Sequence, residues 1–148
     1  MKLKSLSSAV RIAINDDPAR VIEFNPDDVG FVERFYALID NVEAKENEIK
    51  EKLEAIRKDQ TVSSYGMPNS IRREVQLTAK MCRYMREQID NVFGEGSSQT
   101  IFGDANVPTM FGEFFAAIGP CISSARSGAV KKLSLIHISE PTRRTPIS

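Results

Sequence analysis

The fold is decided by residues 25–58, which read NPDDVGFVERFYALIDNVEAKENEIKEKLEAIRK. The first four residues predict a helix start, because a side-chain cap, a proline and then acids suit a first helical turn. Apolar residues then recur in a four-three alternation that only Glu46 interrupts, at Phe35, Ile39, Val42, Ile49, Leu53 and Ile56. The stretch therefore predicts a long, coiled-coil-like helix that ends near Lys58, with its charged residues on a solvated face.

A second helix with the same spacing is predicted after the loop at residues 59–69. Asn69 or Ser70 can cap this helix, and Gly94 provides its stop. Its apolar positions are Ile71, Val75, Thr78, Cys82, Met85, Ile89 and Val92. In each helix the apolar residues in four-three spacing form a seam along one face. Two helices with matching seams and a modest loop between them most simply form an antiparallel hairpin. The same patterning also permits the seams to close between chains, in a homo-oligomer.

Residues 8–24 carry the signals of a small β-hairpin or β-arm. Val10, Ile12 and Ile14 alternate with other residues, a turn signal follows at Asn15–Pro18, and a second apolar run ends at Phe24. A lone hairpin is only marginally stable in water. We therefore expect it to pack on the helices or to pair with the edge of another chain.

A shorter last helix is predicted to start at Asn106-Val107-Pro108, after a Gly/Ser-rich break, and to be kinked or ended by Pro120. One stripe of this helix carries Phe111, Phe114, Phe115 and Ile118. The favoured interpretation is that the stripe covers the helical hairpin as core. The alternative hypothesis is that some of these four residues bind a partner helix.

The expected fold is thus a single, mainly α-helical domain over residues 1–132. It begins with the β-hairpin, continues with the long antiparallel helical hairpin and ends with the shorter helix. Leu133–Arg143, which reads LSLIHISEPTR, resembles the conceptual translation of a transposase-type sequencing adapter. We therefore expect residues 133–148 to be an artefactual, disordered tail, and the native frame to end at about Lys132.

Composition narrows the function classes. The chain has 20 basic and 20 acidic side chains, a balance that gives no general attraction to nucleic acid or to an anionic membrane. No run approaches the ~20 apolar residues that span a bilayer. Cys82 and Cys121 lie in helical stretches without metal-ligand spacing, and we interpret both as reduced core residues. A soluble, cytoplasmic protein is expected.

The candidate chemical sites have plainer structural interpretations. Gly94–Ser98 follows a helix and lacks the lysine of a phosphate loop, and the paired acids lie in turns and helix starts. The basic residues of the second helix, at Arg72, Arg73, Lys80, Arg83 and Arg86, are diluted by acids. The only histidine, His137, lies in the excluded tail. We therefore expect no catalytic residue, no metal, no cofactor and no nucleic-acid partner.

Residues 94–120 carry a family resemblance. They read GEGSSQTIFGDANVPTMFGEFFAAIGP, with a Phe-Gly-Asp turn at 102–104 before a helix that bears the pair Phe114-Phe115. This pattern resembles the C-terminal signature of small tail-assembly chaperone-like proteins of long-tailed bacteriophages. The resemblance implies a non-enzymatic protein of the host bacterial cytoplasm during infection. It would bind the tape-measure protein before the tail-tube subunits polymerise around it.

Two alternatives to a chaperone stay open at this point. The first is a structural subunit of the tail or connector that remains in the virion. The second is a coiled-coil adaptor or regulatory protein that binds another protein.

Overall fold

A computed structural model describes residues 9–126 and 133–136. The elements follow in the order β1 (Val10–Ile14), β2 (Val21–Phe24), α1 (Val29–Ile56), α2 (Asn69–Phe93), α3 (Ser97–Phe102), α4 (Pro108–Arg126) and β3 (Leu133–Ile136). The protein is mainly helical, with an N-terminal antiparallel hairpin, two long helices and a shorter C-terminal helix. The predicted fold class is confirmed.

The β-hairpin forms because its turn residues accept an unusual backbone. Asn15 and Asp16 both have positive φ, at 52° and 64°, which asparagine and aspartate tolerate better than most residues. The strands then pair in antiparallel register, with Val10 opposite Phe24 and Ala13 opposite Val21. The alternation of β1 turns Val10, Ile12 and Ile14 into the core, where all three are buried.

The hairpin packs on the helices rather than standing alone. The Phe24 ring stacks on Phe31 at the start of α1, with centroids 5.3 Å apart, and meets Phe93 edge-on at 5.7 Å. The guanidinium of Arg20 donates hydrogen bonds to the carbonyl oxygens of Thr100 and Ile101 at the end of α3. The hairpin is thereby attached to α3, which lies about 80 residues further along the chain.

The first residues of α1 differ slightly from the predicted helix start. The helix begins at Val29, and the cap is Asp28, whose carboxylate accepts a hydrogen bond of 2.9 Å from the Gly30 amide. Pro26 lies before the helix and is buried, rather than occupying its first turn. The helix ends at Ile56, close to the predicted end.

The cap gives a first testable prediction. Asp28→Ala removes the acceptor for the Gly30 amide, and we expect a loss of about 1 kcal/mol in the free energy of unfolding. Asp27→Ala is the matched control, because Asp27 is exposed and is not the cap residue. Urea denaturation of both variants checks the prediction. Equal losses would show that the Asp28 cap does not stabilise α1.

Helices α1 and α2 form an antiparallel helical hairpin. Their contacts advance along α1 while retreating along α2: Asn41 with Gln88 (3.2 Å), the Lys45 ammonium over the Tyr84 ring (5.1 Å), and Arg57 with Glu74 (3.5 Å). The α1 residues Phe35, Val42, Ile49 and Ile56 of the predicted seam are buried, whereas Ile39 and Leu53 are half-buried.

The predicted seam of α2 is only partly correct. Cys82, Met85 and Ile89 are buried as expected, but Ile71 and Val75 are 48% and 62% exposed. The reason is that the linker before α4 reaches this face only at Cys82, whose thiol donates to the Asn106 carbonyl oxygen at 3.9 Å. Ile71 and Val75 lie earlier in α2, before that contact.

Two further differences concern the C-terminal third. The Gly/Ser-rich break contains the short helix α3, and α4 continues through Pro120 to Arg126 instead of ending there. Pro120 is exposed, and one missing amide donor does not stop a helix whose other face is buried. The last turn of α4 is tied to the N-terminal half, since Arg126 donates to the Pro26 carbonyl oxygen at 3.3 Å.

The prediction of a disordered segment from Leu133 onward is wrong for its first four residues. Leu133–Ile136 forms β3, which pairs in parallel with β1 and completes a sheet of order β2-β1-β3. The remainder of that prediction, residues 137–148 with His137, lies outside the described residues.

Candidate interaction surface

The aromatic stripe of α4 lies inside the molecule. Phe111, Phe114 and Ile118 are completely buried, and Phe115 is half-buried. A partner helix cannot reach the first three in this structure. The stripe therefore has the burial expected for core, which was the favoured interpretation, and the hypothesis that some of the four residues bind a partner helix stays a prediction.

The burial of the stripe follows from an aromatic cluster between α2, α3 and α4. The Phe114 ring meets Phe93 of α2 at 5.5 Å and Phe102 of α3 at 5.7 Å, both edge-on. The Phe111 ring lies 4.6 Å from Phe102. Edge-to-face pairs of this kind add stabilisation to that of buried area. The first residue of the Phe-Gly-Asp turn, Phe102, thus lies in the core at the end of α3.

The segment between α3 and α4 is held by one arginine of α2. Arg86 donates to the Asn106 side chain (2.8 Å) and to the carbonyl oxygens of Gly103 (2.8 Å), Ala105 (2.5 Å) and Ser98 (3.4 Å). Its guanidinium also lies over the Phe102 ring, 5.7 Å from the centroid. The forked guanidinium suits several acceptors at once. Arg86 is therefore used for structure and is not available for nucleic-acid phosphates.

At the opposite end, the α1–α2 loop is well ordered by hydrogen bonds. Asp59 accepts from the Thr61 amide at 2.9 Å, the Ser63 amide donates to the Met67 carbonyl oxygen at 2.8 Å, and Gly66 takes a positive φ of 81°. The hydrogen bond from the Thr61 hydroxyl also lowers the pKa of Asp59. The loop is therefore a fixed platform for its side chains.

This platform displays apolar side chains to solvent. The tip surface consists of Val62, Tyr65, Met67, Ile71 and Val75, all exposed, with Tyr65 95% exposed. Scattered exposed apolar residues are ordinary, but five within fourteen consecutive residues form a concentrated patch, which is typical of an interaction site.

The tip surface continues into a groove along α2. The α2 groove has a volume of about 480 Å³ and is lined by Ile71, Glu74, Val75, Thr78, Ala79, Cys82 and Asn106. It is open because α4 begins at Pro108, beside Cys82, and then runs toward Phe93. The α2 face before Cys82 is therefore not covered by α4. Burial raises the pKa of the Cys82 thiol at the closed end of the groove.

One rim of the α2 groove is basic. Arg72 and Arg83 are exposed, and each follows a groove residue by one position, which places both about 100° around the helix on the same side. They flank the groove rather than line it, and Arg83 also borders the polar cleft that contains Glu87. Within the described part of the chain neither forms an ion pair. On the other side, Glu74 is already paired with Arg57 at 3.5 Å.

The other candidate sites offer weaker evidence for a functional role. The Arg83–Gln99 region forms a polar cleft of about 630 Å³ that includes the acids Glu87, Asp90 and Glu95. Asp90 there accepts from the Ser98 amide at 2.8 Å, so it caps α3. Among the described residues no group of three His, Cys, Asp or Glu side chains could hold a metal ion.

A search of the same residues for membrane spans gave a negative result. No helix within them combines the length and the apolar character that crossing a bilayer requires.

Sequence reasoning missed the tip surface and the α2 groove. The available signal was the loop, where Val62, Tyr65 and Met67 are apolar residues in a segment that has no seam of its own. The positions of Ile71 and Val75 in a regular seam concealed their exposure, because periodicity shows that a face is apolar without showing what covers it.

Comparison with known proteins gives one match. A family model described as "Family of unknown function (DUF6673)" matches residues 19–143, which includes β2, all four helices and β3. Neither a curated protein nor a solved structure matches the chain.

Proposed function

The chain belongs to this family of unknown function, DUF6673, and we propose that it is a non-enzymatic phage tail-assembly chaperone or a closely related morphogenesis factor. Its client would be the tape-measure protein, bound in the host bacterial cytoplasm during infection. The resemblance of residues 94–120 to tail-assembly chaperone-like proteins suggests the class. The observation that carries the proposal is the tip surface, an apolar patch on a rigid helical hairpin.

The proposal assigns different tasks to the two ends of the molecule. The C-terminal helix, the sheet and the Phe cluster form a closed body, so they would support the hairpin rather than touch the client. A long helical client is recognised through apolar side chains that enter a groove on a partner. The tip surface and the α2 groove together offer such a contact at the free end of α1 and α2.

The test is co-expression of the full chain with the tape-measure protein of the same genome. We expect the client to become soluble and to co-purify. Tyr65→Ala should reduce the recovered complex roughly tenfold, because exposed tyrosines that become buried on binding are frequent hot spots. Tyr36→Ala is the matched control, since Tyr36 is 60% exposed on α1 but lies far from the tip in sequence.

Purified virions separate this proposal from its alternatives. A chaperone should be absent from them by mass spectrometry, whereas a tail or connector subunit should be retained. Retention in the virion would overturn the chaperone proposal. Failure of the folded chain to bind the client, together with absence from virions, would favour the adaptor.

A further inference from the structure

We infer that the α2 groove binds an amphipathic helix that carries acidic residues along one flank. This inference names the chemistry of the partner and rests on the proposed function only in treating the tip end as a binding surface. Four observations support it: the length of the groove, its relation to the packed part of α2, the state of its backbone, and the charge of its rim.

The length of the groove suits a short helical segment. From Ile71 to Cys82 the strip extends about 16 Å at a rise of about 1.5 Å per residue, which corresponds to about three helical turns. Asn106 lines one end, and the other end runs toward the exposed Met67 and Tyr65. A longer helix would enter over the tip loop and stop at the α3–α4 linker.

The groove is also the continuation of a face that is already packed. Ile71, Val75, Thr78 and Cys82 keep the four-three spacing, and the next positions, Met85 and Ile89, are buried within the chain. The same spacing in a partner helix would therefore extend an existing packing arrangement. Met85 and Ile89 fix the orientation of the face, so binding requires little rearrangement of α2.

The backbone of the groove favours a helix over a strand. Its residues lie within α2, apart from Asn106, and the amides and carbonyls of α2 already bond along the helix. A strand that binds by edge pairing needs unpaired backbone groups, which the interior of a helix does not offer. A partner helix needs only side-chain contacts.

The rim determines the charge of the partner and disfavours an antiparallel second copy. Arg72 and Arg83 lie on one side of the groove, so acids along one flank of the partner would meet both. In a two-fold dimer that paired this face of α2 with its own copy in antiparallel orientation, Arg72 of one copy would lie beside Arg83 of the other, because the axis keeps the same flank of both helices on one side. Like charges would oppose that dimer, whereas an acidic helix would neutralise them.

The test uses two synthetic helical peptides of about 15 residues with leucines in four-three spacing. One carries glutamates along its flank and the other carries lysines at the same positions. Fluorescence anisotropy with the full chain should show the acidic peptide binding at least about tenfold more tightly, with an affinity that falls as salt rises.

Variants of the chain locate the contact. Val75→Glu should abolish binding of the acidic peptide. The double variant Arg72→Glu, Arg83→Glu should reverse the preference in favour of the lysine peptide. Lys50→Glu is the control, because Lys50 is exposed on α1, and it should leave the affinity unchanged. Circular dichroism and thermal melting confirm that each variant is folded.

Three results would overturn the inference. The first is equal binding of both peptides, and the second is unchanged binding by folded Val75→Glu. The third is a wild-type dimer, seen by analytical ultracentrifugation, that Val75→Glu dissociates, because the groove would then be covered by a second copy. Since no tape-measure protein is used, failure here leaves co-purification and virion content to judge the chaperone role separately.

Discussion

Replacing Phe114 with alanine is expected to lower the free energy of unfolding by about 3–5 kcal/mol. The side chain is completely buried, and its ring contacts Phe93 at 5.5 Å and Phe102 at 5.7 Å. Truncation leaves a cavity where α2, α3 and α4 meet, and a rigid set of rings cannot collapse to fill it. Urea denaturation monitored by far-ultraviolet circular dichroism measures the loss.

Phe115→Ala is the matched control for Phe114→Ala. Phe115 is the next residue of the same helix, but it is only half-buried and lies against the core rather than within it. Its truncation should cost about 1–2 kcal/mol. A loss as large as that of Phe114→Ala would contradict the placement of the stripe. Because both variants remove one aromatic ring, they differ mainly in the cavity left behind.

The same reasoning decides how mutations of the α4 stripe can be interpreted. A triple alanine variant of Phe111, Phe114 and Phe115 would remove the centre of the core, so loss of a client complex in that variant would report on unfolding. Substitutions at the exposed positions Tyr65 and Val75 separate binding from folding. The tip surface, and not the stripe, is therefore where a loss of client binding is informative.

The sequence predicted the parts of the fold that local rules determine. The turn at Asn15–Pro18, the long helix α1 and the end of α2 at Gly94 follow from turn chemistry, apolar spacing and helix-stop preference. Helix α3 was not predicted. Six residues do not form a stable helix alone, and α3 depends on distant groups: the Asp90 carboxylate at its start and the Arg20 guanidinium at its end.

The surface was harder to predict than the fold, for a physical reason. An apolar stripe at helical spacing has the same sequence signature whether it packs inside the chain or remains open to a partner. In α4 the stripe is covered, and in the first half of α2 it is exposed, because α4 begins beside Cys82 and runs away from Ile71. Which of two stripes is covered depends on the path of a third element, and spacing within one helix does not contain that path.

Arg86→Met is expected to cost about 3 kcal/mol of stability, the second largest effect. Hydrogen bonds to a charged donor contribute about 1.5–3 kcal/mol each but do not add fully when they share one group. Removing the guanidinium leaves the acceptors at Gly103, Ala105 and Asn106 without this donor. Arg86→Lys should recover less than half of the loss, because one ammonium lacks the planar fork that reaches several acceptors.

The control for Arg86→Met is Arg83→Met, which removes an exposed arginine one turn earlier in α2. Arg83 makes no hydrogen bond within the described residues, so its change in stability should stay within about 0.5 kcal/mol. Thermal unfolding of the three variants distinguishes a structural arginine from a surface one. Comparable losses for the Arg83 and Arg86 variants would contradict the assignment of Arg86 as the residue that holds the linker.

Arg86→Met should also affect the groove without touching its apolar strip. The arginine fixes Asn106, and Asn106 lines the end of the groove beside Cys82. If the linker loosens, Asn106 no longer closes the end of the groove against a bound helix. The acidic peptide should then bind several-fold more weakly, even if the variant is fully folded. Arg83→Met should also weaken this peptide, but by loss of charge. Arg86→Met also removes a positive charge that acts on the Cys82 thiol, so the structural comparison is Arg86→Lys, which keeps the charge. Arg86→Lys should weaken the peptide with unchanged salt dependence, whereas Arg83→Met should lose part of that dependence.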